Sequence, residues 1–164
     1  MSRAFVNEDN AAAQADQPVE RQVSVQPNYV TPSGLTQLQA KVAQLQTLLG
    51  ELNALGELAD KQREADLQRD LRYFSQRLQS AQVVTPASST TKVQIGSRVT
   101  FADEHSHEQT VQLVGEDQAD AAAGLINWSS PLGRALLGAQ LGDEVLWQRP
   151  AGDQLIEIIR IQPA

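Results

Sequence analysis

Apolar positions between Leu35 and Val84 recur at alternating steps of three and four. Leu35, Leu38, Val42, Leu45, Leu49 and Leu52 form one series, and Leu67, Leu71, Phe74, Leu78 and Ala81 form a second. Such steps bring side chains onto one stripe of a helix, the seam along which helices pack knobs into holes. The two series read as the arms of an antiparallel hairpin. Pairing Leu52 with Leu67, Leu49 with Leu71, Leu45 with Phe74, Val42 with Leu78 and Leu38 with Ala81 keeps the sum of residue numbers nearly constant. The midpoint falls in Gly56-Glu57-Leu58-Ala59-Asp60, so the hairpin carries an acidic tip. Thr31 or Ser33 is suited to cap the first arm, Pro32 to occupy its first turn, and Gly56 to take the left-handed position at its end. An arm from about Ser33 to Leu55 is a rod on the order of 30–35 Å long.

Past the second arm the period changes. Thr85 to Lys92, rich in Pro, Ala, Ser and Thr, reads as a linker. A change toward an alternating period then marks strands at Ile95–Phe101, Gln109–Val114, Gly124–Trp128, Glu144–Gln148 and Leu155–Ile159. Ser130, Pro131 and Gly138 stand in the order of cap, first turn and terminator for a short helix over Pro131–Leu137. Before the arms, the polar N-terminal stretch shows no period and reads as a disordered tail. The chain therefore divides into a tail over 1–28, a hairpin over 29–84, a linker over 85–92 and a small antiparallel sheet with one short helix over 93–164. The fold class is α+β.

Composition narrows the function. A formal charge of -7 argues against a general nucleic-acid binder, and 4% aromatic residues against a large aromatic-lined ligand pocket. The acid is unevenly placed. Thr31 to Gln82 holds six basic and six acidic residues, whereas Val93 onward holds four basic and ten acidic. An acidic globular end suits a protein partner with basic docking surfaces. With no cysteine, disulfides, thiol chemistry and cysteine-ligated metal are excluded. No apolar run approaches a membrane span and no signal core opens the chain, so a cytoplasmic, membrane-free protein is expected.

Candidate chemistry is sparse: no Gly-rich phosphate loop, no zinc spacing, no serine–histidine–acid set. His105 and His107 stand two apart with no further soft ligand and read as a plain loop. Glu57 and Asp60, three apart around the tip, are either a solvated turn or a pair of oxygen ligands for a hard cation completed by water and phosphate.

From Tyr29 onward the chain resembles the GreA/GreB family of bacterial transcription elongation factors, in a GreB-like form with a shortened coiled coil. Leu113-Val114-Gly115-Glu116-Asp117-Gln118-Ala119-Asp120 looks like the family's I-V-G-x-x-E-A-D run. Ile126-Asn127-Trp128-Ser129-Ser130-Pro131-Leu132-Gly133-Arg134-Ala135-Leu136-Leu137-Gly138 looks like I-S-x-x-S-P-x-A-R-A-L-x-G, and Gly142-Asp143-Glu144-Val145 follows as G-D-x-V does. Thr31-Pro32-Ser33-Gly34-Leu35 and Ser80-Ala81-Gln82-Val83-Val84 match the start and finish of the family's coil.

The resemblance implies an FKBP-like C-terminal domain that docks at the rim of RNA polymerase's secondary channel, with Ser129, Ser130 and Pro131 in the docking loop. It implies a coil that enters the channel and presents Glu57 and Asp60 to the polymerase's Mg²⁺ centre. There the two acids would help hold a Mg²⁺ shared with the polymerase, which itself hydrolyses backtracked RNA. The chain would then be an accessory factor and not an enzyme, touching the RNA 3′ end only indirectly, with no stably bound cofactor or small-molecule ligand. Departures bear on this. The family's tip is G-D-L-x-E-N-A-E-Y. Here Gly56-Glu57-Leu58-Ala59-Asp60 exchanges the acids, and Lys61-Gln62-Arg63-Glu64 replaces Asn-Ala-Glu-Tyr. Each arm is also about one heptad shorter, on the order of 10 Å of reach. The alternative is a Gre-like regulator that occupies the channel without stimulating cleavage, or one acting on nucleoside diphosphate kinase.

Overall fold

The computed structural model describes residues 19–164. Helix α1 spans Pro32–Ala54 and helix α2 spans Lys61–Ser80. Thr31 is the cap of α1, its Oγ1 accepting the Gly34 N–H at 3.1 Å. A single 3₁₀ turn, Gly56–Leu58, joins the arms, and Gly56 at φ 58° takes the left-handed conformation that a side chain resists. On α1, Leu38, Leu45, Leu49 and Leu52 are buried as the seam requires.

On α2 the pattern is displaced. Leu67, Leu71, Phe74 and Leu78 are half-buried, while Tyr73 and Arg77, outside the expected seam, are the buried pair. Chain that precedes the hairpin packs on the Tyr73 side of the helix. Of the stretch expected to be a tail, residues 1–18 lie outside the described residues, but Val19–Val25 belongs with Gln39–Gln79 in one compact unit. Within it Arg21 lies over the Tyr73 and Phe74 rings and pairs with Asp70 at 3.6 Å, while Glu20 pairs with Arg72. A flank that a two-helix hairpin would leave in water is thereby covered.

The second compact unit comprises Gln26–Leu38 and Ser80–Ala164. Strands β1 (Tyr29–Val30) and β2 (Gln82–Val83) pair in parallel, tying the chain just before α1 to the chain just after α2. Gln118 fastens the same region: it accepts from Thr31 Oγ1 at 2.6 Å and donates to Ser33 Oγ at 3.0 Å. The remaining strands are β3 (Arg98–Ala102), β4 (Glu108–Val114), β5 (Leu125–Asn127), β6 (Glu144–Trp147) and β7 (Gln154–Gln162). They form one sheet in the order β5-β4-β3-β7-β6. Helix α3, Pro131–Leu136, buries Leu132 and Leu136 against Val99, Phe101, Val111, Leu113, Ile156 and Ile158.

One detail departs from the expected antiparallel sheet. The sheet is mixed, because β5 runs parallel to β4. Two 3₁₀ turns, Glu116–Gln118 and Ala121–Ala123, carry the chain back before β5 begins, which a tight hairpin cannot do. The stretch Thr85–Lys92 is fastened: Ala87 is buried and accepts from Ala164 N at 3.0 Å, and Thr91 accepts from Leu141 N at 2.9 Å.

Candidate functional site

At the tip the two acids have different surroundings. Asp60 precedes α2, and its Oδ1 accepts the N–H groups of Gln62 at 3.0 Å and Arg63 at 3.2 Å. It is the N-cap of α2, satisfying two of the N–H groups that a helix start leaves unpaired. The sequence reading placed Asp60 at the tip but missed this duty, although an acid two and three residues before helical N–H groups is a recognisable cap. Glu57 sits in the 3₁₀ turn, exposed, and its carboxylate has no partner among the described residues. Between them Leu58 is 88% exposed while Ala59 is buried, so the turn presents an apolar apex beside Glu57. The acids of the following turn are engaged locally, Glu64 with Lys61 at 3.4 Å and Asp66 with Gln62 at 3.2 Å.

The tip therefore offers the Glu57 carboxylate and Asp60 Oδ2 as oxygens outside any hydrogen bond among the described residues. Two carboxylates do not make a resident metal site. Among the described residues no group of three or more His, Cys, Asp or Glu is arranged to hold an ion. The pair suits a hard cation only when its other ligands come from elsewhere.

The second candidate region is the turn before α3. Asn127 organises it: its Oδ1 accepts from both the N–H and the Oγ–H of Ser129, each at 3.0 Å. Ser130 caps α3 by accepting the Gly133 N–H at 3.1 Å, and Pro131 occupies the first turn, exposed. Gly133 is required here, since a Cβ would lie 2.2 Å from the Asn127 carbonyl oxygen and 2.5 Å from that of Trp128. Two cavities flank the turn. One, of about 520 Å³, is lined by Ser129, Pro131, Arg134, Ala135, Leu146 and Gln148. The other, of about 530 Å³, includes Ser130, Pro131, Trp147, Arg149 and Pro150. The Trp147 ring packs edge-on with Phe101 and lies beneath the Arg149 guanidinium at 5.2 Å. Ser129, Ser130 and Pro131 thus share one rigid turn, whereas the sequence reading overlooked Asn127. An Asn two residues before a Ser is an Asx-turn signal that points to it.

His105 and His107 belong to the β3–β4 connection, organised by Asp103, whose Oδ1 accepts the backbone N–H groups of both. These bonds, that from His107 foremost, hold the Asp103 carboxyl below its ordinary range.

Comparison with known proteins agrees with the motifs. Residues 88–163 match the family profile described as transcription elongation factor, GreA/GreB, C-terminal. A transcription elongation factor GreB of Neisseria meningitidis serogroup B is 34% identical over 152 residues, covering 82% of this chain and 93% of its own. A transcription elongation factor GreA of Ruegeria pomeroyi is 33% identical over 151 residues, covering 81% and 96%. Among solved structures, a GreA/GreB factor of Nitrosomonas europaea aligns at 26% identity and a TM-score of 0.41, over 82% of this chain and 98% of its own. With more than four-fifths of its length aligned to such relatives, the chain belongs to the GreA/GreB family of transcription elongation factors.

Proposed function

We propose that the chain binds RNA polymerase at the secondary channel, docking through the face around Ser129, Ser130 and Pro131, and stimulates cleavage of backtracked RNA by the polymerase's own active site. The observation that carries the reading is the state of the tip acids: Glu57 unpaired among the described residues, and Asp60 with Oδ1 fixed by two backbone N–H groups. A carboxylate so held keeps Oδ2 in a set direction, and positioning is what a shared metal ligand must supply. A Mg²⁺ shared with the polymerase would contribute Lewis acidity and an activated water. Glu57 and Asp60 would contribute two oxygens and their negative charge. Leu58, between them, would meet whatever the apex touches.

The length of the arms favours a second reading. Helices of 23 and 20 residues are rods of about 35 and 30 Å. If that reach is short, the hairpin fills the channel and the acids do no chemistry.

The test is RNA cleavage in a purified backtracked complex with Mg²⁺, comparing wild type with Glu57→Gln/Asp60→Asn. Asn retains the capping oxygen, so charge is removed without loss of the helix start. Stimulation that disappears in the double variant supports the tip acids as ligands. Binding without stimulation in the wild type establishes the channel-filling reading, and stimulation unchanged in the variant removes the acids from the mechanism.

A further inference from the structure

Cross-strand register places three carboxylates on one line across the outer face of the five-stranded sheet. Glu144 is directly opposite Glu157, Glu157 opposite Ala102, and Ala102 opposite Glu108. All three glutamates are exposed, and none of their carboxylates has a partner among the described residues. Arg160, on the neighbouring line opposite Thr100, makes no ion pair with them. Like charges directly opposite on paired strands repel.

The same face carries apolar side chains in water. Next along β6 and β7, Leu146 is opposite Leu155, and the two are 48% and 43% exposed. Ile159, at 40%, follows Leu155 and Glu157 on the same face by alternation, and a bulge leaves it without a partner on β3, since Thr100 pairs with Arg160 and Phe101 with Ile158. The inner face of these strands, with Val145, Ile156 and Ile158, is packed in the core. Exposed apolar groups beside unneutralised carboxylates are two separate costs that one kind of partner relieves. The sign of the charge disfavours nucleic acid and anionic lipid.

We propose that the outer face of β4, β3, β7 and β6, along the line from Glu108 to Glu144, is a docking surface for a basic amphipathic protein segment. Its apolar side chains would cover Leu146, Leu155 and Ile159, and its Lys or Arg side chains would meet Glu144, Glu157 and Glu108. The site is separate from the turn before α3, with Leu146 alone shared with the cavity beside that turn. It does not depend on the polymerase reading.

The experiment uses the isotopically labelled full chain and a synthetic helical peptide bearing leucines along one stripe flanked by lysines. A peptide of the same charge with alanine for every leucine is the comparison. Saturable amide shifts are expected at Ala102, Glu108, Glu144–Leu146 and Leu155–Ile159. Glu144→Gln/Glu157→Gln should weaken binding about tenfold and Leu155→Thr about fivefold, each from the loss of a central contact. Glu51→Gln, an exposed acid on α1, should leave it unchanged. Shifts that map elsewhere, no saturable binding, equal binding of the leucine-free peptide, or equal weakening by Glu51→Gln would each overturn the proposal.

Discussion

The Arg21 guanidinium lies 4.0 Å from the centre of the Tyr73 ring and 4.9 Å from that of Phe74. Its ion pair with Asp70 holds it there, and the edge-on stacking of the two rings gives it a continuous face to cover. Arg21→Ala should therefore release Val19–Val25 from α2. A partly exposed cation–π contact is worth about 1 kcal/mol, which should lower hydrogen-exchange protection in the Tyr73 region roughly fivefold. Arg21→Lys keeps the charge but not the planar stack and should fall between the two. Unchanged exchange in Arg21→Ala would show that the segment does not support the helix.

Acid should loosen the same segment. The Glu20 carboxyl is held below its ordinary range, chiefly by its hydrogen bond from Arg72 and further by the charges of Arg72 and Arg69. A carboxyl depressed in the folded state contributes stability above its unfolded pKa and loses it as the pH falls through the lower, folded value. The contribution of Glu20 to the attachment should thus be present at neutral pH and lost in the acid range below the usual glutamate value, leaving the Arg21 contacts in place. Exchange rates in α2 followed against pH should show this step in the wild type and lack it in Glu20→Gln.

Asp60 has two duties that substitution separates. Asp60→Ala removes the cap and should destabilise the start of α2 by about 1 kcal/mol, seen as faster exchange at Gln62 and Arg63. Asp60→Asn should leave exchange there nearly unchanged. If Asp60→Asn also leaves RNA cleavage intact, the residue serves the helix alone.

Gly133→Ala should be among the most damaging single changes in the globular unit. The atoms its Cβ would meet are backbone oxygens of Asn127 and Trp128, which cannot swing aside as a side-chain end can. A cost of about 2 kcal/mol or more is expected, read as a lower unfolding midpoint with α2 exchange unaltered. Because the clash lies in the turn holding Ser129 and Ser130, polymerase binding should weaken as well.

Much of this was legible residue by residue. Leu38, Leu45, Leu49 and Leu52 are buried as their spacing requires, Ser130 caps α3, and Gly56 takes its left-handed turn. These features depend on neighbours within a few positions, which a sequence displays directly. The second arm shows where that reading ends. Tyr73 and Arg77 stand off the heptad seam and are the buried pair of α2, because a helix can bury any flank that some other segment covers. Nothing in the period of α2 encodes Arg21, which lies some fifty residues earlier.

The sequence alone determined the hairpin, its acidic tip, the α+β division and the family motifs, since each follows from local period, caps or short contiguous runs. Only the tertiary structure decided that β5 runs parallel to β4, that Leu58 is exposed while Ala59 is buried, and that Glu144, Glu157 and Glu108 share a line. It also distinguished the two tip acids, one occupied by backbone N–H groups and one without a partner among the described residues. The physical reason is common to all four. A side chain's freedom is set by the groups that reach it in space, and strand direction, register and helix geometry fix those groups through contacts that the order of residues does not itself contain.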